Sequence, residues 1–222
     1  MTPVSHDSST RERLLEKAAE LFAAQGFEGV SLRDLTQAAG VNLAAVNYHF
    51  GAREKLIECL IERMMNPMNE ERLAMLADAR EKAGGEAVPV EEVLHAFLRP
   101  VVSRVKSSPM SEQLFSKLMG RCLTDRANRL PESVMPLLER VVAEFGAALR
   151  ECAPWLDGAQ ILWRMNFTIG ALLNTLVHRE LLERLGRGQM RADGAETMLE
   201  QLISARRVSA GRRRGAPRAS PR

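Results

Sequence analysis

The stretch that decides the fold is Gly40-Val41-Asn42-Leu43-Ala44-Ala45-Val46-Asn47-Tyr48-His49-Phe50-Gly51. Residues 31–39 before it read as one short helix and residues 41–50 as a second, so only Gly40 and its neighbours remain for the turn. Two short helices joined by a three- or four-residue turn with a glycine are the sequence sign of a helix-turn-helix. The second helix is rich in side chains that hydrogen-bond phosphates and base edges, namely Asn42, Asn47, Tyr48 and His49.

The rest of the chain also reads as helix, because no segment alternates apolar and polar residues as a half-buried strand would. Ser9 with Glu12 is a capping-box pattern that predicts the start of the first helix, and Gly26 predicts its end. A fourth helix follows from about Arg53, with Pro67 expected to kink or divide it. Further helices are predicted at about 90–105, 111–123, 131–153, 159–185 and 193–207. The fold class is therefore all-α, with about nine helices.

Composition shifts suggest four parts of the chain. Residues 1–8 are expected to be a flexible N-terminus, and residues 9–52 a three-helix DNA-binding domain. Residues 53–207 are expected to be a larger helical domain. Residues 208–222 consist almost entirely of Arg, Gly, Pro, Ala and Ser, cannot bury a core, and are expected to be a disordered Arg-rich tail.

The net charge of +3 gives little support to nucleic-acid binding. Seven arginines lie in the last 17 residues, so the rest of the chain carries 24 basic against 28 acidic residues. Cys59, Cys122 and Cys152 show no paired spacing, which indicates reduced thiols and a cytoplasmic location. No apolar run approaches the ~18 residues of a membrane span, and no signal peptide is evident, so we expect no membrane association.

At this point the sequence resembles the TetR family of transcriptional repressors. The resemblance covers about residues 10–58 and is carried by Leu14 to Phe27, Val30-Ser31-Leu32-Arg33-Asp34-Leu35, Ala38-Ala39-Gly40-Val41, Tyr48-His49-Phe50 and Lys55-Leu56. Within the family, residues 41–51 together with Trp163-Arg164, Phe167 and Gly170 are similar to the fatty-acid-responsive PsrA branch. The resemblance implies a ligand-responsive regulator of transcription.

The residues expected to bind DNA lie on or beside the two short helices. Ser31 can contact a phosphate at a helix N-terminus or act as a plain cap. By resemblance, Arg33 reaches a phosphate or a groove edge, or else is a solvated arginine, and Lys55 contacts a phosphate. The second of these helices, residues 41–50, is the expected recognition helix. It contains no Arg or Lys to pair with guanine, which favours A·T base pairs in the half-site.

The recognition helix itself supplies the base contacts. Residues at its N-terminus meet base edges, so Asn42 can pair bidentately with adenine, and Leu43 or Ala45 can touch a thymine methyl group. Core packing is the alternative for Leu43. Ala44 is small where the helix must approach the DNA backbone. By resemblance, Asn47, Tyr48 and His49 contact phosphates or bases.

The resemblance also implies an apolar ligand pocket among the later helices. The expected lining is Phe97, Val101, Phe115, Leu118, Met119, Phe145, Trp163 and Phe167, with Arg164 or Asn166 as anchor of a carboxylate or thioester. The alternative is that these apolar side chains are ordinary core. A small hydrophobic effector, such as a fatty acid or acyl thioester, is therefore expected, although a drug or other aromatic inducer remains open.

One recognition helix offers little contact area, so the mechanism requires a dimer on an inverted-repeat operator in double-stranded DNA. By resemblance, the homodimer forms through the eighth and ninth predicted helices, at 159–185 and 193–207. The eighth carries a small-residue patch of Gly170, Ala171, Asn174 and Thr175.

Other functional classes have less support. No metal-ligand spacing, phosphate-binding glycine loop or nucleophile–base signature occurs, so we expect neither an enzyme nor a cofactor or metal. A non-specific nucleic-acid binder that uses the Arg-rich tail is one alternative. A ligand-independent or activating regulator is another, because sequence does not separate repressor from activator.

Overall fold

The computed structural model describes residues 4–107, 112–124, 130–187, 197, 199–201 and 203, and every regular element among them is a helix. The helices are α1 (Val4–Gln25), α2 (Leu32–Ala39), α3 (Leu43–Phe50), α4 (Arg53–Ala83), α5 (Val90–Ser107), α6 (Glu112–Thr124), α7 (Met135–Cys152), α8 (Gly158–Val177) and α9 (Arg179–Leu185). The all-α prediction is confirmed. Residues 1–3 and the Arg-rich tail lie outside the described residues.

The chain divides into two compact units. The first contains Met1–Glu71 and Ser103–Val142, and the second contains Arg72–Val102 and Ala143–Arg222. The first unit thus joins the three N-terminal helices, which we call the head, with the first half of α4 and with α6. Helix α4 contributes residues to both units.

Apolar side chains at helical spacing close the core of the head, as the sequence predicts. Leu14, Phe22, Leu35 and Val46 are completely buried. Each comes from the inward face of its helix, and burying a side chain of this size stabilises the fold by about 1.5–3 kcal/mol. Gly26 ends α1 with φ +83°, and its N–H donates to the Phe22 carbonyl over 2.9 Å.

Three helix boundaries differ from the prediction. Helix α1 begins at Val4, so the Ser9–Glu12 pattern lies inside the helix and does not cap it. Helix α7 begins at Met135, because residues 131–134 form a turn in which the Val134 N–H donates to the Pro131 carbonyl. The helix predicted at 159–185 is divided at His178, whose φ of −106° and ψ of +21° are not helical.

Two other predicted helices can be compared. Helix α4 runs through Pro67 without a division. Most of the helix predicted at 193–207 lies outside the described residues, and the described residues 197, 199–201 and 203 are helical.

Candidate nucleic-acid interface

A capping box fixes the N-terminus of α2. The Ser31 hydroxyl oxygen accepts from the Asp34 N–H over 3.2 Å, and the Asp34 carboxylate accepts from the Ser31 N–H over 2.8 Å. The Ser31 hydroxyl also donates to this carboxylate over 2.6 Å. These hydrogen bonds lower the pKa of Asp34. A carboxylate therefore already lies at the positive end of α2, and a phosphate contact by Ser31 stays a prediction.

The turn between α2 and α3 depends on Gly40. Its φ of +62° and ψ of +39° are left-handed, and its N–H donates to the Gln37 carbonyl over 3.3 Å. The Val41 N–H donates to the Thr36 carbonyl over 3.0 Å. These two bonds form a Schellman motif, which ends α2 and directs the chain into α3.

Asn42 is the N-cap of α3. Its Oδ1 atom accepts from the Ala45 N–H over 3.0 Å. The cap uses one of the two lone pairs of Oδ1 and leaves the Nδ2 donor outside the cap. The bidentate pairing with adenine suggested by the sequence stays a prediction, in which Oδ1 would accept through its second lone pair or leave the cap.

Helix α3 has one buried and one exposed face. Val46 is completely buried and Phe50 nearly so, whereas Leu43 is 50% exposed and Tyr48 is 76% exposed. The alternative of core packing for Leu43 is therefore not supported. The other residues of α3 that are predicted to contact DNA differ in exposure. Ala44 and Asn47 are exposed, and Ala45 and His49 are half-buried. A large aromatic ring and an aliphatic side chain thus face solvent on a helix of eight residues.

Two predicted phosphate contacts outside α3 are cationic. Arg33 is exposed on α2. Lys55 is exposed at the start of α4, where its ammonium group forms an ion pair with the Glu58 carboxylate. The hydrogen bond with Glu58 raises the pKa of Lys55. A phosphate that binds Lys55 must therefore compete with Glu58.

Two arginines that the sequence interpretation missed hold the end of α1 and the chain that follows it. Arg53, in the first turn of α4, donates from Nε to the Val30 carbonyl over 3.1 Å and from Nη2 to the Phe27 carbonyl. Arg121, on α6, donates to carbonyls at the end of α1. Arg53 carries a signal in the sequence, because a cation in the first turn of a helix opposes the helix dipole and implies another partner. Arg121 has no comparable signal.

A second candidate site lies inside the second unit. A cavity of about 10 Å³ is bounded by Val93, Leu94, Phe97, Phe145, Leu149, Arg164, Met165 and Thr168. The rings of Phe97 and Phe145 are 5.2 Å apart. Such a volume holds about one water molecule. A hydrophobic effector would therefore have to enlarge this cavity in order to bind.

A buried arginine supports the wall of this cavity. Arg72 Nε donates to the Phe97 carbonyl over 2.8 Å, and its guanidinium carbon lies 4.6 Å from the centre of the Phe97 ring. Burial lowers the pKa of Arg72 to about 10. Arg72 thereby fixes both the backbone and the ring of one wall residue.

The predicted ligand-binding residues do not all meet at this cavity. Phe97, Phe145 and Arg164 line it. Three others are buried in the first unit, namely Phe115, Leu118 and Met119. Val101 is buried in the second unit, and Trp163, Asn166 and Phe167 are exposed on α8. The sequence thus predicted three residues of the lining and missed Val93, Leu94, Leu149, Met165 and Thr168.

No group of three or more His, Cys, Asp or Glu side chains among the described residues could hold a metal ion. No helix in the described ranges is long and apolar enough to cross a membrane.

Comparison with known proteins gives two family matches. Residues 14–60 match the N-terminal domain of bacterial regulatory proteins of the tetR family, and residues 95–207 match the tetracyclin repressor-like C-terminal domain. The second match covers just over half of the chain.

Among curated relatives, the probable HTH-type transcriptional regulator YttP of Bacillus subtilis (strain 168) is 38% identical over 53 residues, which are 24% of this chain and 26% of that protein. The HTH-type transcriptional repressor AcnR of Corynebacterium efficiens is 40% identical over 52 residues, or 23% of this chain and 28% of that protein. The chain thus spans about a quarter of the length of these relatives.

Solved structures resemble a larger part of the chain. HlyIIR, a hemolysin II transcriptional regulator, has a TM-score of 0.57 and 18% identity, over 90% of this chain and 97% of that one. A TetR-family transcriptional regulator from Bordetella parapertussis 12822 has a TM-score of 0.57 and 18% identity, over 87% and 92%. At such identities the likeness shows the fold alone.

Proposed function

We propose that this chain, which belongs to the TetR family of bacterial regulatory proteins, is a transcriptional repressor. It binds an inverted-repeat operator as a homodimer. It leaves the operator when a small hydrophobic ligand binds. The observation that carries DNA binding is the exposed face of α3. Leu43 and Tyr48 are exposed on a short helix whose other side closes the core of the head. An apolar side chain such as Leu43 can contact a thymine methyl group in the major groove, and a tyrosine hydroxyl can bond a backbone phosphate.

Substitution of Tyr48 tests this face. Tyr48→Ala should weaken binding to a selected operator much more than binding to a scrambled duplex. Trp155→Ala is a matched control, because Trp155 is 77% exposed but lies between α7 and α8. Deletion of residues 208–222 should weaken binding to both duplexes alike, since arginine contacts to phosphates carry no sequence information. Equal losses in Tyr48→Ala for both duplexes would refute the assignment of α3.

Helix α8 supports the proposed homodimer. Trp163 and Phe167 are 61% and 63% exposed, and their rings stack with centres 5.5 Å apart. Leu162 on the same helix is 51% exposed, and an apolar patch of this kind is typical of a protein interface. A Cβ atom added at Gly170 would meet nothing within 4 Å, so a second helix can approach closely there. A second copy of the chain is the proposed occupant.

The homodimer is tested by Phe167→Arg, which places a charge in the proposed interface. We expect this variant to sediment as a monomer and to lose operator binding, because buried unpaired charge strongly destabilises an interface. A variant that remains dimeric would exclude α8 as the contact.

The cavity in the second unit supports a ligand with an apolar body and an anionic group. Six of its eight lining side chains are apolar, and Arg164 adds a positive charge. We propose that a fatty acid, or an acyl thioester whose carrier group is anionic, enlarges this cavity and favours a conformation with lower DNA affinity. Dodecanoic acid should then release the operator, whereas 1-dodecanol should be a weaker effector. Arg164→Gln should remove this difference, and equal release by both compounds in the unaltered protein would argue against the anionic group.

A further inference from the structure

Arg121 joins α6 to the last turn of α1. Its Nε atom donates to the Ala23 carbonyl over 3.2 Å, and its Nη2 atom donates to the Ala24 carbonyl over 3.3 Å. Both carbonyls belong to the last turn of α1, where the helix offers no N–H partner. A guanidinium group also suits the negative end of the helix dipole. Arg121 therefore caps a helix that lies 97 residues earlier in the sequence.

Gly26 leaves the space that this contact needs. A Cβ atom at Gly26 would lie 2.6 Å from Arg121 Nη1, which is closer than Cβ atoms approach other atoms. Gly26 also has a φ of +83°. Gly84 shares the positive φ at the end of α4, but a Cβ atom there would meet nothing within 4 Å. Of these two glycines, only Gly26 has a close neighbour at the Cβ position, and that neighbour is Arg121.

Arg53 holds the chain that follows Gly26, because it donates to the Phe27 and Val30 carbonyls. The next residue, Ser31, is the N-cap of α2. Arg121 on α6 therefore holds the end of α1, and Arg53 on α4 holds the chain between α1 and α2. Neither arginine belongs to the three helices of the head. The head, Arg53 and Arg121 all lie in one compact unit.

We propose that Arg121 is a positioning residue for DNA recognition, which fixes the direction of the head and thereby restricts the half-site spacing that the dimer accepts. The proposal rests on the proposed function as a dimeric operator-binding protein. Two rigidly held heads fit half-sites about one helical turn apart. Heads that are free to rotate fit several spacings, but each binding event then loses more conformational entropy.

The test measures affinity for a series of duplexes that carry the selected inverted repeat with its central spacer shortened or lengthened by one or two base pairs. A duplex with a single half-site completes the series. The proteins are the full chain, Arg121→Met, Gly26→Ala and Gly84→Ala, each checked for folding by circular dichroism. Gly84→Ala is the matched control, because it introduces the same left-handed strain without displacing Arg121.

The unaltered chain should prefer one spacing. Arg121→Met removes two charge-assisted hydrogen bonds and should reduce that preference by at least about tenfold, while its affinity for the single half-site stays unchanged. Gly26→Ala should shift the profile in the same direction, and Gly84→Ala should leave it unchanged. If Arg121→Met binds every duplex more weakly by one factor, Arg121 only stabilises the head, and the proposal is refuted. An unchanged profile refutes it equally. Failure of the unaltered chain to bind any inverted repeat would instead overturn the proposed function, on which this proposal rests.

Discussion

We assign two roles to Asn42, a helix cap and a DNA contact, and two substitutions separate them. Its Oδ1 atom caps α3 by accepting from the Ala45 N–H over 3.0 Å, and its Nδ2 atom is available as a donor to DNA. Asn42→Ala removes both groups. Asn42→Ser keeps an oxygen that caps a helix about as well as asparagine but removes the amide donor.

The expected magnitudes follow from these two hydrogen bonds. Asn42→Ala should lower the free energy of unfolding by about 1 kcal/mol, the usual effect of losing an N-cap, whereas Asn42→Ser should leave it nearly unchanged. Loss of one hydrogen bond to DNA weakens binding by about 1 kcal/mol for each head. With two heads on the operator, both variants should bind it about thirtyfold more weakly.

Urea unfolding followed by circular dichroism measures the first quantity, and fluorescence anisotropy with a labelled operator measures the second. A scrambled duplex is the control for non-specific binding. If Asn42→Ser binds the operator as tightly as the unaltered chain while Asn42→Ala does not, Asn42 acts only as a cap. That result would refute the assignment of a DNA contact to its amide.

Three further predictions concern the turn, a surface ion pair and the core. Gly40→Ala should lower the free energy of unfolding by about 1 kcal/mol through backbone strain alone, because a Cβ atom at this position meets nothing within 4 Å; a much larger loss in urea unfolding would contradict this. Glu58→Gln should strengthen DNA binding about threefold by releasing Lys55, in line with the small free energy of an exposed ion pair. Asp78→Asn, which breaks an exposed ion pair in the last part of α4, is the control and should leave anisotropy titrations unchanged. Phe145→Ala should lower the free energy of unfolding by about 3–5 kcal/mol, since the ring is completely buried. A loss below about 1 kcal/mol would contradict this burial, because the transfer free energy of the ring is lost even if the core collapses around the smaller side chain.

The elements that the sequence predicted well are those fixed by local chemistry. Ser31 caps α2, and Gly40 ends it in the left-handed conformation that glycine adopts without strain. Helical spacing also predicts the inward faces of these two helices. Leu35 on α2 is buried, and so are Val46 and Phe50, which lie one turn apart on α3.

Features set by contacts distant in sequence were not predictable. Helical spacing places Phe145, Trp163 and Phe167 on apolar faces, but it does not say what each face meets. In the structure Phe145 lines the cavity, whereas Trp163 and Phe167 are exposed. The contact of Arg121 with α1 depends on the packing of α6, which no local pattern encodes.

Selection of bound duplexes from a random pool by the full chain at moderate salt tests most simply whether this protein recognises a DNA sequence. We expect recovery of an inverted repeat with half-sites about one helical turn, ~34–36 Å, apart and with A·T pairs at the base contacts. Recovery of a pool without sequence preference, retained in a strongly salt-dependent manner, would contradict it and would leave phosphate binding as the source of affinity.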